Sequence, residues 1–438
     1  MKLLSSSVLC AGLTFSGIAS ADLQASLPRD SFIKDSYIVT FKPAESGRAP
    51  VITPPVTNPE LKRNRPTPKF GENSSGQSKE KLAVKLGIKG KVQSIFEANN
   101  AAHLKIDAAQ AEKLRADPRV LNVEQDRVVM SAQSVQVNPG WGLDRMDQPN
   151  TALNNQYVFN ANGTGQTIYV LDSGIDLNNP LVAAEFSGRA SVIWDVNGQG
   201  GADCFGHGTK VASLAAGNTY GLAKGATIIA AKINTGCTNG GLISTSILAF
   251  DWLAVNAPRG TIVNWSNALA AQSLCQPAIS VALENSIRSA VNAGIIVVVA
   301  VGNDGCNTAN FSPTRIPESF VVGATDNSRL ALGQDARASF SRFGTNVSAF
   351  APGNFVATMN FNGQFASVQG TSYSAPYIAG LFAAACQRFA PFCSDPANTV
   401  NAIYDAARGL GTLNTVVDPG GAALPTGTTS RFIARQPW

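Results

Sequence analysis

Histidine is nearly missing from this 438-residue sequence, which contains only His103 and His207. The seven cysteines include no Cys-x-x-Cys pair, so the usual ligand spacing of a structural zinc site is missing too. With so few imidazole and paired thiolate ligands, we predict no zinc site and assign no residue to metal binding.

Long apolar runs are also missing beyond the first 21 residues, because the next candidate, residues 295–301, has only the length of a strand. The N-terminus has Lys2, then a mostly apolar stretch, then Ala19-Ser20-Ala21. This order is typical of a secretory signal. We predict a signal peptide over residues 1–21, an exported extracellular protein and no membrane partner.

Charged residues make up only 14% of the chain, and the formal net charge of +5 is unevenly distributed. Residues 1–131 contain 19 Lys and Arg against 13 Asp and Glu, whereas residues 132–438 contain 15 against 16. The larger part therefore has no cationic stripe that would bind nucleic acid, and we predict no nucleic-acid partner.

Cys10 lies in the predicted signal, which leaves six cysteines for the exported protein. An even number in an exported chain predicts up to three disulfides, and six cysteines allow 15 pairings. The six are Cys204, Cys237, Cys275, Cys306, Cys386 and Cys393.

Residues 22–131 have the pattern of a small α+β unit. A strand is predicted at 36–43, a helix at 108–115 and a second strand from Val120 to near Met130. Residues 43–79 are rich in proline and polar side chains and are predicted to be disordered, because they cannot bury enough apolar surface.

From Trp141 onward, strands and helices alternate, which predicts an α/β domain over 132–438 with a parallel sheet covered on both faces. Strands are predicted at 167–171, 226–233, 261–265 and 295–301. Helices are predicted at 207–217, 244–256 and 278–293. Sites in such sheets form beyond the C-terminal ends of the strands, where Asp172 and Asn303 fall.

Three short motifs carry the chemistry. They are Asp172-Ser173-Gly174, Gly206-His207-Gly208-Thr209 and Gly370-Thr371-Ser372-Tyr373-Ser374. Each alone has an ordinary explanation as a turn, an exposed histidine or a helix cap. Together they supply the carboxylate, base and hydroxyl of nucleophilic catalysis. Their order along the chain excludes the α/β-hydrolase arrangement, and the serine motif lacks the final glycine of a nucleophile elbow.

These motifs and their flanks resemble the subtilase family, close to its secreted proteinase K group. The leader resembles the family's inhibitor prosegment through Tyr37-Ile38-Val39 and through Leu114-Arg115-Ala116-Asp117-Pro118. The resemblance implies a subtilisin-like three-layer sandwich with a mostly parallel central sheet, preceded by a small ferredoxin-like α+β prosegment over 22–131.

The resemblance also implies a role for each motif. Ser372 would be the nucleophile, His207 the general base and then acid, and Asp172 the carboxylate that orients the histidine. Asn303 would donate its amide to the oxyanion, together with the backbone N–H of Ser372.

The substrate groove departs from the family pattern. Relatives usually carry Ser-Leu-Gly-Gly where this chain has Ser266-Asn267-Ala268-Leu269, so the added side chains are expected to alter the groove. Its other walls are expected from Gly240 and Gly241 and from Ala300-Val301-Gly302. Tyr373 replaces a methionine common in relatives, which predicts resistance to peroxide because a phenol forms no sulfoxide.

The resemblance bears on calcium and on the disulfides. Pro317-Glu318-Ser319 resembles a calcium-binding loop of the family, but the expected aspartate is Ser348, so a strong site is not expected there. No cofactor is predicted for catalysis, and structural calcium at another position is left open. The resemblance implies the pairing of Cys204 with Cys237. Nearness in the sequence favours Cys386 with Cys393, which would leave Cys275 with Cys306, and the sequence leaves these two pairings open.

The sequence thus predicts a secreted, monomeric serine endopeptidase that acts on proteins or peptides. Its prosegment would serve as intramolecular chaperone and inhibitor until self-cleavage between Met130 and Gln136. The alternative is a pseudoprotease that binds peptides without cutting them. A dinucleotide-binding enzyme is disfavoured because Gly163-Thr164-Gly165 precedes a strand instead of following one.

Overall fold

The computed structural model describes residues 32–42, 79–96, 99–127, 134–198, 200–238, 240–269, 271–410 and 416–428. The predicted signal peptide, nearly all of the Pro-rich segment 43–79 and residues 130–133 of the predicted cleavage region lie outside these ranges. The chain divides into two compact units between Ser131 and Ala132.

The first unit is a four-stranded antiparallel sheet with two helices. Its elements, in chain order, are β1 (Phe32–Phe41), α1 (Lys79–Leu86), β2 (Lys91–Phe96), β3 (Ala101–Lys105), α2 (Ala108–Arg115) and β4 (Val120–Arg127). The strand order β2-β3-β1-β4 is that of a ferredoxin-like fold. The predicted helix at 108–115 is confirmed, and Asp107 caps it by accepting a hydrogen bond from Gln110 N at 2.8 Å.

The second unit contains the remaining elements. Its strands are β5 (Ser134–Val137), β6 (Gln156–Phe159), β7 (Thr167–Asp172), β8 (Ala190–Asp195), β9 (Thr227–Lys232), β10 (Ile262–Trp265), β11 (Ile296–Ala300), β12 (Phe320–Asp326), β13 (Asp335–Arg337), β14 (Val347–Pro352), β15 (Val356–Met359), β16 (Phe365–Val368) and β17 (Val416–Val417). Its helices are α3 (Trp141–Arg145), α4 (Pro180–Phe186), α5 (His207–Ala216), α6 (Ile243–Asn256), α7 (Val281–Asn292), α8 (Thr371–Arg388), α9 (Ala390–Ser394) and α10 (Val400–Leu410).

A nine-stranded sheet forms the centre of this unit, in the order β17-β13-β12-β11-β10-β7-β9-β8, with β14 also paired to β12. Only the β12–β13 pair is antiparallel, so the predicted mostly parallel sheet is confirmed. Helices α5 and α8 pack together against the sheet, and α6 and α7 form a second packed pair. This is the expected three-layer α/β arrangement.

The central strands are mostly apolar because both faces of the sheet are covered, and β11 is apolar along its whole length. All five residues of β11 are buried, and Tyr404 of α10 reaches this strand. The Tyr404 hydroxyl accepts from Val297 N at 2.8 Å and donates to Val297 O at 3.0 Å. The phenol thereby satisfies backbone groups that the core would otherwise leave unpaired.

A buried ion pair fixes one end of the sheet. Arg145 of α3 donates from Nε and Nη2 to the two carboxylate oxygens of Asp335 in β13, at 2.9 and 2.7 Å. Both side chains are fully buried. The bidentate geometry joins a short helix near the start of the unit to a strand 190 residues later.

Three disulfides are formed. Cys204 pairs with Cys237, as the resemblance implied, and Cys386 pairs with Cys393 and Cys275 with Cys306, as nearness in the sequence favoured. Among the described residues, no helix is long and apolar enough to cross a membrane.

The topology brings distant residues to one edge of the sheet. Strands β7, β10 and β11 are neighbours and run parallel, so their C-terminal ends meet. Asp172 ends β7, and Asn303 follows β11. Helices α5 and α8 begin at His207 and Thr371. Together these elements bring Asp172, His207, Asn303 and Ser372 to a single cleft.

Candidate active site

Asp172 and His207 form a hydrogen-bonded pair. His207 Nδ1 lies 2.8 and 2.9 Å from the two carboxylate oxygens of Asp172. The Asp172 side chain is fully buried, whereas the imidazole is 16% exposed. A carboxylate can only accept, so Nδ1 carries the hydrogen and Nε2 is left able to accept a proton.

Two opposing effects set the pKa of His207. Burial by itself lowers this pKa, but the negative charge of Asp172 and its hydrogen bond outweigh burial. The charge of Asp203 acts in the same direction as Asp172, and Lys210 opposes both. The net result is a His207 pKa above the ordinary value of 6.5.

The glycines on either side of His207 are required by their surroundings. Gly206 has a φ of +91°, and a Cβ there would lie 2.6 Å from the Phe361 ring. A Cβ at Gly208 would lie 2.3 Å from the carbonyl oxygen of Gly174. The histidine turn therefore packs directly against the backbone that follows Asp172.

Ser372 is the second residue of α8 and lies in the same cleft as His207. Its hydroxyl donates to the carbonyl oxygen of Ser266 at 3.1 Å, and not to the imidazole. In return, the Ser266 hydroxyl donates to the carbonyl oxygen of Ser372 at 2.9 Å. This reciprocal pair fixes the start of α8 to the residue that follows β10.

Thr371 fixes the orientation of the Asn303 side chain through hydrogen bonds. The Asn303 Oδ1 atom accepts from Thr371 N at 2.8 Å and from Thr371 Oγ1 at 2.9 Å. Thr371 Oγ1 in turn accepts from Gly302 N at 3.1 Å. Because the amide oxygen is occupied, the amide nitrogen is left as the donor. Sequence reasoning missed Thr371, although it lies in the Gly370-Thr371-Ser372 motif.

These side chains line an open cleft of about 820 Å³. Seven of the eight predicted substrate-binding residues line it: Gly240, Gly241, Ser266, Asn267, Ala268, Ala300 and Gly302. Val301 does not line the cleft: this side chain is fully buried in the core, and its N–H donates to Val322 O at 3.0 Å. Its neighbours Ala300 and Gly302 do line the cleft.

The cleft also has apolar walls that the sequence reasoning did not identify. They are formed by Ile233, Leu242, Ile243, Trp265, Leu269, Ala278 and Ile279. Ile243 begins α6 and Trp265 ends β10, so each has the pattern of an ordinary core residue. Nothing in their local sequence distinguishes a cleft wall from the core.

Tyr373 packs beside the histidine, with the two ring centroids 5.5 Å apart. Burial, followed by the charge of Asp172, raises the pKa of Tyr373 to about 12. The phenol is therefore neutral at ordinary pH and covers one side of the imidazole without adding charge.

Comparisons with known proteins place the chain in a family. A family model described as the Subtilase family, Peptidase S8, matches residues 163–418. Alkaline serine exoprotease A of Vibrio alginolyticus is 34% identical over 364 residues, which cover 81% of this chain and 61% of that relative. The extracellular serine proteinase of Thermus sp. strain Rt41A is 35% identical over 304 residues, 68% of this chain and 69% of that relative.

A solved structure gives the same result. The crystal structure of a cold adapted subtilisin-like serine proteinase superposes with a TM-score of 0.59 at 31% identity, covering 68% of this chain and 99% of that one. The family model alone covers more than half of the present sequence. The chain therefore belongs to the subtilase family and is a serine protease.

Proposed function

We propose that this protein is a secreted serine endopeptidase, made as a zymogen, that cleaves peptide bonds in protein substrates through an acyl-enzyme at Ser372. The observation that carries the proposal is the Asp172–His207 pair in a cleft shared with Ser372. Asn303 lines the same cleft and has its amide oxygen occupied by Thr371.

In the proposed mechanism, Ser372 Oγ attacks the carbonyl carbon of the scissile bond while His207 Nε2 takes the hydroxyl proton. The negative charge of Asp172 stabilises the resulting imidazolium. The Asn303 amide and the Ser372 backbone N–H donate to the oxyanion. His207 then gives its proton to the leaving amine as the C–N bond breaks, and water repeats the sequence to release the acid.

The hydroxyl of Ser372 must turn from Ser266 O toward His207 Nε2 for this reaction. Catalytic hydrogen bonds are often formed only when substrate is bound. The hydrogen bond to Ser266 O also favours a second candidate, a pseudoprotease whose serine is not activated.

A serine-directed fluorophosphonate separates these two functions. An activated Ser372 is labelled, and the label is lost in Ser372→Ala. The matched control is Ser374→Ala. Ser374 lies two residues after Ser372 in α8, and its buried hydroxyl has no hydrogen-bond partner. We expect Ser374→Ala to keep both labelling and casein hydrolysis. An unlabelled wild-type protein that still binds peptides would establish the pseudoprotease instead.

Export and maturation are supported by the relatives and by the two-unit organisation. The Thermus relative is named an extracellular proteinase, and the present chain divides between Ser131 and Ala132. We expect residues 22–131 to assist folding and to inhibit the monomeric enzyme until cleavage between Met130 and Gln136. N-terminal sequencing of the secreted protein tests the cleavage site. A separately made 22–131 polypeptide should inhibit the mature enzyme.

The predicted loss of the strong calcium site is supported by what surrounds Ser348. Its hydroxyl accepts from Val321 N at 3.2 Å and from the Arg408 guanidinium at 3.1 Å. Glu318, in the loop that resembles a calcium-binding segment, pairs with Arg288 at 3.0 Å. A hydroxyl already bound to a guanidinium, and a carboxylate already paired with another guanidinium, do not fit a divalent cation. We therefore propose no calcium at this position and no metal step in the mechanism.

A further inference from the structure

Asp203 lies four residues before His207 and is 3% exposed. Its carboxylate accepts five hydrogen bonds from the segment that carries the histidine and from the turn after Asp172. The donors are Ser173 Oγ at 2.9 Å, Phe205 N at 3.1 Å, Gly206 N at 2.7 Å, Thr209 N at 2.9 Å and Thr209 Oγ1 at 2.8 Å.

These bonds replace a missing helix cap. Gly206 precedes α5 and has no side chain to accept from the first N–H groups of the helix. Asp203 accepts from Thr209 N in its place. A buried carboxylate thus holds both the turn before His207 and the first turn of the helix that begins with it.

Ser173 extends this connection to Asp172. The Ser173 hydroxyl donates to Asp203 and accepts from Gly208 N at 2.8 Å. The Ser173 N–H donates to Asp172 Oδ1 at 2.7 Å. Asp203, Ser173 and Asp172 are therefore joined in one chain of hydrogen bonds, which links the turn before His207 to the turn after Asp172.

We propose that Asp203 is a positioning residue for the reaction, which fixes the His207 turn to the Asp172 turn and supplies a second buried negative charge that favours the imidazolium. The inference rests on the proposed function of the site. Asp203 does not touch substrate; it acts through His207.

The charged and titratable groups that face His207 are few. Asp172 on β7 and Asp203 raise the His207 pKa, Lys210 on α5 lowers it, and Tyr373 on α8 is a neutral ring neighbour. Asp203 neutralisation should therefore shift the equilibrium of His207 toward the neutral imidazole. A role that is only structural would leave that equilibrium where it is.

The first test measures His207 without using catalysis. The full chain contains two histidines, so NMR of histidine-labelled Ser372→Ala protein gives signals from two imidazole rings, and a His103→Gln variant assigns them. We expect Asp203→Asn, added to Ser372→Ala, to lower the titration midpoint of His207. An unchanged midpoint overturns the electrostatic part of the proposal.

The matched control is Glu185→Gln on α4, because the Glu185 carboxylate contacts the loop that follows the C-terminal end of α5. Glu185 is also 3% exposed and also holds a loop, accepting from Thr219 N at 3.0 Å and Tyr220 N at 3.2 Å. Its neutralisation should leave the His207 midpoint unchanged. An equal shift in both variants would show a general effect of lost buried charge, and would also overturn the proposal.

The second test is kinetic. In the wild-type background, Asp203→Asn should lower kcat by about tenfold to a hundredfold, with little change in KM, because the base is misplaced. The acid limb of kcat/KM should move to lower pH. A loss confined to KM would assign Asp203 to the groove instead.

Ser173→Ala tests the positioning role independently, in case Asp203→Asn does not fold. It removes the hydroxyl that joins the two turns but leaves both carboxylates in place, so kcat should fall and the His207 midpoint should change less than in Asp203→Asn. An unchanged kcat would overturn the positioning role. Fluorophosphonate labelling of the wild-type protein tests the proposed function separately from all these measurements.

Discussion

Thr371 shows at the scale of one residue how a neighbour can determine which way an amide points. Its N–H and hydroxyl both contact Asn303 Oδ1, and the hydroxyl also accepts from Gly302 N. The side chain is fully buried, so these contacts are protected from water. Under the proposed mechanism, Thr371 prevents the amide from turning its oxygen toward the oxyanion.

Replacing Thr371 by valine tests this point. Thr371→Val keeps the shape of the side chain but removes the hydroxyl, so kcat should fall by about tenfold, the equivalent of one or two neutral hydrogen bonds. KM should be nearly unchanged. Thr371→Ser keeps the hydroxyl and serves as control. Equal kcat values for the valine variant and wild type would contradict the orientation role.

The raised pKa of His207 gives a pH prediction. The proposed base must be neutral to take the proton of Ser372, and the folded protein holds the imidazolium more strongly than a free histidine does. The activity should therefore be lost as the pH falls through a value above 6.5. A pH profile of kcat/KM measures this limb, with tryptophan fluorescence as the control for unfolding. An acid limb below 6.5 would contradict the prediction.

Tyr373 leads to a third prediction at this scale. The described catalytic unit has Met146, which is fully buried, and Met359, and neither residue lines the cleft. The wild-type enzyme should keep its activity in peroxide, whereas Tyr373→Met should lose activity because the added thioether beside His207 forms a sulfoxide. Timed peroxide exposure followed by a peptide assay compares the two. Equally fast inactivation of both proteins would show another sensitive group.

Elements of this fold differ in how clearly their sequence identifies them. The predicted strands at 167–171, 226–233, 261–265 and 295–301 correspond to β7, β9, β10 and β11, within one or two residues at each end. They could be predicted because strands buried on both faces are continuous apolar runs. Short elements such as β13 and β17 have only three and two residues, too few for a periodic pattern.

The ion pair between α3 and β13 could not be predicted for a related reason. Arg145 and Asp335 are 190 residues apart, and neither lies in a recognisable motif. By contrast, Asp172, His207 and Ser372 could be singled out in the sequence by their flanking glycines and small residues. Thr371 and the apolar cleft walls depend on contacts that only the folded chain creates.

Removing one partner of this ion pair should be costly. Asp335→Ala leaves Arg145 charged and buried without its carboxylate, so we expect a loss of about 3 to 5 kcal/mol in the free energy of unfolding. The control is Asp405→Ala, because Asp405 pairs with Arg408 at the surface and its side chain is 74% exposed. That change should cost under about 1 kcal/mol. Denaturant unfolding of both variants measures the difference, and equal losses would contradict the assignment.

For the molecule as a whole, one disulfide lies close to the cleft and another lies far from it. Cys204 lies next to Asp203, and Cys237 lies three residues before Gly240 in the cleft wall. The bond closes a separation of 33 residues. In the chain-entropy model a loop of this length contributes about 3 to 4 kcal/mol.

The double variant Cys204→Ala/Cys237→Ala should therefore lower the melting temperature and raise KM, because the groove edge loses its covalent support. The comparison is Cys386→Ala/Cys393→Ala, whose bond lies far along α8 from Ser372, about 20 Å at 1.5 Å per helical residue. That variant should leave KM unchanged. A rise in KM in both variants would indicate general loosening instead of a local effect.

The order of the proposed catalytic residues along the chain has a consequence for the cell that makes this protease. Asp172 and His207 lie on β7 and α5, but Ser372 lies on α8, which packs against β7, β10, β11, β12 and β14. A ribosome delivers the chain from its N-terminus, so the histidine and its carboxylate are made long before the serine. Fragments that end before α8 carry no proposed nucleophile. Under the proposed mechanism, incomplete or prematurely released chains would be unable to digest the proteins of the cell that makes them.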